Sequence, residues 1–197
     1  MTRVDSRQEL ILPYIRGKTV LDLGAGDMRD RSLHPFLCAH AKKVVGMELY
    51  KDRIAQHRKA GYDIRQGNAE TTNLGMKFDC VVAGDIIEHV DNPGLFVTNA
   101  MRHLKPGGVF LFNTPNVYSV NLLLRGLVLG KVRALDEHVT GFTEQLLREL
   151  LRRQGLRPQK VVYFTHANSS IASIVIRGLA KLHTEWHENL FFVVRKQ

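Results

Sequence analysis

The stretch KTVLDLGAG, residues 18–26, decides the fold. A short β-favouring run stops at Gly24-Ala25-Gly26, and this reads as a buried parallel strand ending in a glycine turn. Downstream, residues 30–43 place Leu33, Phe36, Leu37, His40 and Ala41 at helical spacing and lead into VVGME, residues 44–48, as a second strand. The rhythm then repeats: a helix over 51–60, a strand over 62–66, and KFDCVVAG, residues 77–84, as the most apolar strand. A helix over 93–104, with Leu95, Phe96, Met101 and Leu104 inward, precedes a strand over 108–112. Strand and helix alternating at this spacing imply βαβ units, a mainly parallel sheet and right-handed crossovers.

Past residue 113 the pattern loosens. Residues 116–131 are apolar with little charge, and 133–141 are mixed. Residues 142–154 predict a helix with Leu146, Leu147, Leu150 and Leu151 as its stripe, Thr143 as its cap and Gly155 as its stop. Strands are predicted over 156–164 and 190–195, with a helix near 171–182 between them. No repeat, low-complexity tract or linker divides the 197 residues, so the chain reads as one doubly wound α/β domain over 1–197.

Composition excludes disorder and a disulfide scaffold: 44% of the chain is apolar, 24% is charged, and there are two cysteines. Cys38 and Cys80 sit in apolar surroundings without a C-x-x-C pairing, as reduced buried thiols do. The N-terminal MTRVDSRQEL has charges where a signal peptide needs an apolar core, and no apolar run reaches the roughly 18 residues of a membrane span. A cytoplasmic protein without a membrane span is the expectation. The net charge is +9 and unevenly placed: residues 1–100 hold 14 Lys+Arg against 13 Asp+Glu, and residues 101–197 hold 14 against 6, or +8.

A G-x-G-x-x-G dinucleotide fingerprint would need glycine at 29, where this chain has Arg29. Glu48, ending the second strand, can accept hydrogen bonds from both hydroxyls of a ribose. Strand, G-x-G, helix, strand and terminal acid in this order point to a nucleoside cofactor more than to a pyrophosphate. Glu70 fits equally a helix cap and a cofactor contact.

On these segments the chain resembles class I S-adenosylmethionine-dependent methyltransferases, including ubiquinone-pathway O-methyltransferases. The matching stretches are VLDLGAGDMR (20–29), VVGMELY (44–50), GNAE (67–70), FDCVVAGDIIEHVDNP (78–93) and LKPGGVFLFNTPN (104–116), about half the chain. The resemblance implies a Rossmann-like seven-stranded sheet, mostly parallel, with an antiparallel last strand and helices on both faces. It implies S-adenosylmethionine as cofactor, with Asp22, Gly24, Ala25 and Gly26 around its methionine part, Glu48 and Leu49 at the ribose, and Asn68 and Ala69 beside the adenine. Gly84 and Asp85 would complete the methionine pocket. Two positions depart from the family pattern: Met28 stands where a third glycine is common, and Asn68 where an aspartate is common.

Direct displacement at a sulfonium methyl needs alignment more than any one catalytic group, and a base only for a hydroxyl or cationic amine. His89 and His138 are the candidate catalytic residues. Glu88-His89 also reads as a helix-start pair shared by methyltransferases of diverse specificity. The pattern Asp85-x-x-Glu88-His89 with the later His138 is similar to the divalent-metal cluster of small-RNA 2′-O-methyltransferases, and Asp85 there shortens the reach by one methylene. A metal bound by Asp85, Glu88, His89 and His138 is therefore the minor reading and no metal the main one; the other seven histidines read as surface or packing residues. Segment 116–135 is read as covering the substrate, with residues 120–129 within it as a lid helix, an extra core helix or, with less support, a membrane-surface helix. The function classes are a methyltransferase acting on a small, amphipathic or anionic molecule, an RNA methyltransferase using Arg148, Arg152, Arg153, Arg157 and Lys160, and a non-catalytic cofactor binder.

Overall fold

The computed structural model describes residues 6–26, 32–130, 137–165, 178–179 and 182–197. Seven strands form one sheet: β1 (Thr19–Leu23), β2 (Lys43–Glu48), β3 (Ile64–Gln66), β4 (Phe78–Gly84), β5 (Leu104–Pro115), β6 (Pro158–Phe164) and β7 (Asn189–Arg195). Their order is β3-β2-β1-β4-β5-β7-β6. Pairings from β3 through β5 are parallel, and β7 runs antiparallel to both β5 and β6. The sheet thus has the expected seven strands with only the last reversed.

Period-two alternation sorts the side chains onto two cores. Leu21, Leu23, Val81, Ala83, Phe110, Phe112, Phe192 and Val194 face one side, where they meet Phe96, Val97 and Ala100 of α4 (Pro93–Arg102) and Leu147 and Leu151 of α6 (Glu144–Arg153). Val20, Cys80, Val82, Val109, Leu111, Phe191 and Val193 face the other side, with Ile11 and Ile15 of α1 (Ser6–Ile15) and Leu33 and Leu37 of α2 (Leu33–His40). Phe112 stacks on Phe110 at 4.9 Å and on Phe192 at 5.1 Å, binding the antiparallel strand to the parallel set. Burial on both faces is why these strands read as apolar runs instead of alternating ones. Between β2 and β3 lies α3 (Lys51–Lys59), and between β5 and α6 lies α5 (Val120–Leu129).

Several expectations shift. Helix α1 was not anticipated, although Ile11 and Ile15 are four residues apart. β5 starts at Leu104 and not at 108, because the register slips between Phe78 and Cys80 and absorbs the Pro106-Gly107-Gly108 kink as a bulge. Leu95 and Leu146 are exposed, so each inward stripe is narrower than the spacing suggested. In α2, His34 is buried where His40 was expected inward. Thr143 caps α6 as expected, its hydroxyl accepting from the Leu146 N–H. Of the helix expected near 171–182, residues 171–177, 180 and 181 lie outside the described residues, as do Met28, Arg29 and 131–136. Among the described residues no helix is long and apolar enough to cross a membrane.

The strand order reverses between β1 and β4, and the carboxyl ends of β1, β2, β4 and β5 therefore converge on one edge of the sheet. In an open α/β sheet that crevice is where ligands bind.

Candidate active site

At the end of β1 the backbone turns through Gly24 (φ 70°) and Gly26 (φ 71°). A Cβ at Gly24 would lie 2.4 Å from Ile86 Cδ1, so the turn is packed tightly from the β4 side. Among the described residues the atom nearest that position at Gly26 is the Gly24 carbonyl oxygen, at 3.7 Å, ordinary contact distance. Glu48, at the end of β2 and 4% exposed, ties this turn down. Its Oε2 accepts from the Gly26 N–H at 3.0 Å, and its Oε1 accepts from the N–H groups of Leu49 at 2.8 Å and Tyr50 at 3.0 Å. Three of the carboxylate's four acceptor directions are used by these bonds, and Oε2 keeps one for a hydroxyl. Glu48 thus has a structural task, closing the turn, that the sequence did not reveal. Leu49 and Tyr50 beyond it are exposed and apolar, a shelf suited to a base ring.

Asp22 sits behind the turn, 1% exposed, with Oδ2 2.9 Å from His34 Nδ1. The Asn68 side chain accepts from the Glu70 N–H in a local turn, and the Ala69 carbonyl is held by the Asn99 amide of α4. Glu70 resolves its two readings differently: its two oxygens accept from the N–H groups of Asp91 and Asn92, fastening the β3 exit to the start of α4. The glycine turn, the Glu48 carboxylate and the apolar shelf fit a nucleoside cofactor.

After β4, Gly84 leads into Asp85, which adopts φ 51°, a left-handed conformation that costs a non-glycine residue about 1 kcal/mol or more. It is held there by Arg7 of α1, 2.6 Å from Oδ2, and by the Asn113 amide, 2.5 Å from Oδ1. Arg7 was not foreseen; its only sequence signal is the Ile11/Ile15 spacing that makes its helix.

Glu88 is buried, and its Oε2 accepts from the Thr114 hydroxyl at 2.9 Å. Burial, reinforced by the charge of Asp85, pushes its carboxyl up to about 8 against the opposing hydrogen bonds. The Glu88 carbonyl accepts from the N–H groups of Val139 and Thr140, and His89 Nδ1 donates to the Glu137 carbonyl at 2.9 Å. These three bonds bring a loop about 50 residues away onto the β4 exit. His138 comes with it, its ring 4.7 Å from that of His89. Ligand atoms of Glu88, His89 and His138 all lie within 4.8 Å of one another, and Asp85 stands outside that group, turned to Arg7 and Asn113. Burial first, and then the neighbouring His89, lower the His138 imidazole below its ordinary value, against Asp85 and Glu137.

A family model for a methyltransferase domain matches residues 4–161. The chain belongs to the methyltransferase-domain family. Among relatives of this domain, a probable S-adenosylmethionine-dependent methyltransferase of Mycolicibacterium smegmatis is 38% identical over 104 residues, 51% of this chain and 39% of that protein. A ubiquinone biosynthesis O-methyltransferase of Idiomarina loihiensis is 27% identical over 171 residues, 83% of this chain and 65% of that one. The chain therefore spans between about two fifths and two thirds of these relatives' lengths. The fold of the methyltransferase domain is also that of a crystal structure of a SAM-dependent methyltransferase from Archaeoglobus fulgidus, with a TM-score of 0.70 and 15% identity over 97% of this chain and 92% of that one.

Farther along the same edge of the sheet, a cleft of about 460 Å³ is lined by Tyr118, Thr184, Glu185 and Trp186 among others. It adjoins a second cleft of about 230 Å³ that shares Tyr118 and Glu185 and adds Asn116, Glu144 and Tyr163. Three of the five residues expected to form a basic surface are paired locally, while Arg157 and Lys160 are exposed. Arg148 pairs with Glu144 at 2.5 Å, and Arg152 and Arg153 pair with Glu149 at 2.7 and 2.9 Å. The outer face of α5 is apolar and uncovered, with Leu127 83% and Val128 75% exposed. That face is not core, so the core-helix reading of residues 120–129 does not hold for it.

Proposed function

We propose that this chain is an S-adenosylmethionine-dependent methyltransferase whose acceptor is a small amphipathic molecule with an ionisable hydroxyl. The observation that carries the reading is the placement of two unlike sites on one sheet edge. The glycine turn and Glu48 lie at the ends of β1 and β2, and the Glu88, His89 and His138 group lies beyond β4. Gly24, Ala25, Gly26 and Gly84 bound the space for the amino-acid part of the cofactor, Glu48 Oε2 accepts a ribose hydroxyl, and Leu49, Asn68 and Ala69 border the base. When bound, S-adenosylmethionine supplies a methyl carbon on a cationic sulfur, open to direct displacement.

The chain's own groups then orient and deprotonate the acceptor. With Nδ1 donating to the Glu137 carbonyl, a neutral His89 ring presents its lone pair at Nε2, and burial first, then His89, lower the His138 imidazole below its ordinary value. The His89–His138 pair would take the hydroxyl proton as the acceptor oxygen displaces the sulfur, the methyl–sulfur bond breaking with its electron pair left on a neutral thioether, so that the products are the methyl ether, S-adenosylhomocysteine and a proton on imidazole. Tyr118, Tyr163 and Trp186 give the clefts aromatic walls for the apolar part of the acceptor. Helix α5 covers that part, which accounts for a leucine and valine face that packs against nothing in the described structure.

The test is release of S-adenosylhomocysteine from a panel of phenols, catechols and short RNAs, with and without EDTA. A phenolic or catecholic acceptor turned over without added metal is the expected result. His138→Ala should lower kcat at least about tenfold and leave cofactor affinity unchanged. Turnover of RNA alone, or complete loss in EDTA with recovery by a divalent ion, would replace this reading by the metal-dependent one, with Glu88, His89 and His138 as ligands.

A further inference from the structure

Along α5 the side chains of Leu123, Leu124, Leu127 and Val128 are 41%, 39%, 83% and 75% exposed. At about 100° per residue they fall within one arc of about 140°, with Arg125, also exposed, about 60° beyond Val128. The opposite arc holds Leu122 and Gly126, both half-buried, so the helix packs on that side and turns the other outward. Its start is pinned to the fold. The Asn121 amide donates to Glu188 Oε1 at 3.3 Å, and the Asn116 amide donates to the Glu185 and His187 carbonyls at 2.7 and 2.9 Å. Four large apolar groups held together on one fixed face mark a docking surface, whereas a single exposed leucine such as Leu95 is ordinary.

Charge and length favour one occupant. Residues 117–135 hold Arg125, Lys131 and Arg133 and neither Asp nor Glu. Residues 166–183, which lead into the cleft wall at His183, hold Arg177 and Lys181 and again no acid. These two stretches carry +3 and +2, together +5 of the +8 that residues 101–197 bear. A cationic, acid-free surround complements an anionic surface, and it would set like charges against each other across a pair of copies. With ten residues α5 is about 15 Å long, half of what a bilayer core requires, so it suits lying along a membrane surface and not crossing it. Tyr118, 48% exposed just before α5, and Trp186, which lines the same cleft of about 460 Å³, are the residue types that settle where hydrocarbon meets headgroups.

We infer that the Leu123, Leu124, Leu127 and Val128 face of α5 seats in the surface of an anionic lipid bilayer, and that the acceptor is a lipid-soluble molecule taken from that bilayer. The source of the acceptor rests on reading α5 as the acceptor's cover; the docking of the face does not. Burial of the leucines and valine and attraction of the cations to acidic headgroups are two modest contributions that anchor the helix in combination. Because the cleft begins at the Tyr118 end of α5, an amphipathic acceptor passes from lipid to cleft along the helix with its apolar part covered throughout.

Flotation of the full chain with vesicles of phosphatidylcholine and phosphatidylglycerol, without cofactor or acceptor, measures the docking by itself. The wild type should bind these vesicles, and should bind pure phosphatidylcholine at least about tenfold more weakly. Leu127→Ser combined with Val128→Ser should weaken binding at least about tenfold, and Arg125→Gln about fivefold. Leu95→Ser, at an exposed position of α4, should bind as the wild type does, and the far-ultraviolet circular dichroism of every variant should be unchanged. With a long-chain phenol dissolved in the vesicles, kcat/KM for release of S-adenosylhomocysteine should fall in the double variant in proportion to its loss of binding. No binding of the wild type to anionic vesicles, or binding that the double variant leaves unchanged, would overturn the docking face. Release of S-adenosylhomocysteine from a water-soluble phenol would then show that the methyltransferase reading had not failed with it. A dimer in sedimentation that the double variant makes monomeric would overturn the bilayer in favour of a second copy of this chain. Vesicle binding as expected, with no release from any phenol, would uphold the face and overturn the acceptor assigned to it.

Discussion

Replacing Gly24 by alanine tests the geometry of the turn on two separable counts. At φ 70° alanine occupies the left-handed region, at a cost of about 1–2 kcal/mol. Its Cβ would also stand 2.4 Å from Ile86 Cδ1, a flexible methyl that moves aside at a cost of about 0.5–1.5 kcal/mol in rotamer strain. Together these give a loss of about 1.5–3.5 kcal/mol, or a drop of about 1–2 M in the urea midpoint for a slope near 2 kcal/mol/M. The control is Gly26→Ala. Its φ is 71° and no atom of the described residues comes nearer than 3.7 Å, so it should carry only the backbone part, about 1–2 kcal/mol. In an Ile86→Val background the nearest atom to the new Cβ becomes Cγ1 at 3.3 Å, and Gly24→Ala should then cost about 1 kcal/mol less. Urea unfolding of the four Gly24/Ile86 combinations measures the coupling. Equal costs at Gly24 and Gly26, with no relief from Ile86→Val, would refute the packing argument. A cost under about 0.5 kcal/mol at both would refute the backbone argument as well.

Other consequences can be checked independently. Glu48→Gln places an amide N–H₂ among three main-chain donors, so it should destabilise by about 1–3 kcal/mol and weaken S-adenosylhomocysteine binding at least about tenfold by calorimetry. Asp79, which accepts from the Thr19 N–H and hydroxyl and from Lys105 Nζ at 2.8, 2.6 and 2.8 Å, is held well below the usual carboxylate range by Lys105 and Thr19. Its contribution is therefore complete above the ordinary value near 4 and is lost as pH falls below it. Asp79→Asn should cost about 1 kcal/mol at pH 7, given partial solvent screening, and flatten acid unfolding measured by circular dichroism. A Leu127→Ser, Val128→Ser pair on exposed positions of α5 should change stability by less than about 0.5 kcal/mol. The same pair should raise KM for the acceptor several-fold at constant KM for the cofactor; equal KM for the acceptor would remove α5 from its binding.

Much of the fold is legible in one dimension because its signals are local. KTVLDLGAG and KFDCVVAG announce buried parallel strands, and Thr143 and Gly155 bracket α6, since β-branched runs, caps and glycine stops act within a few residues. The misjudged elements are those whose limits are set by partners. β5 gained four residues at its start from its pairing with β4, and α2 turned His34 inward in place of His40 because Asp22 waits beneath it. Leu95 and Leu146 have the right spacing for their stripes but lie at the margin of the area that the sheet covers.

The candidate site divides in the same way. The order of strand, glycine turn, helix, strand and acid follows from the sequence alone, because crossover geometry places consecutive βα turns on one sheet edge. Only the tertiary structure decided what each side chain does there. It set Glu48 to clamp Gly26, gave Asp85 to Arg7 and Asn113, folded the 137–140 loop onto the Glu88 carbonyl so that His138 meets His89, and set His34 on Asp22 and His57 on the Gly26 carbonyl beneath the turn. Sequence patterning encodes which face of an element is apolar, whereas hydrogen bonds between residues tens of positions apart depend on distances that exist only once the sheet is assembled.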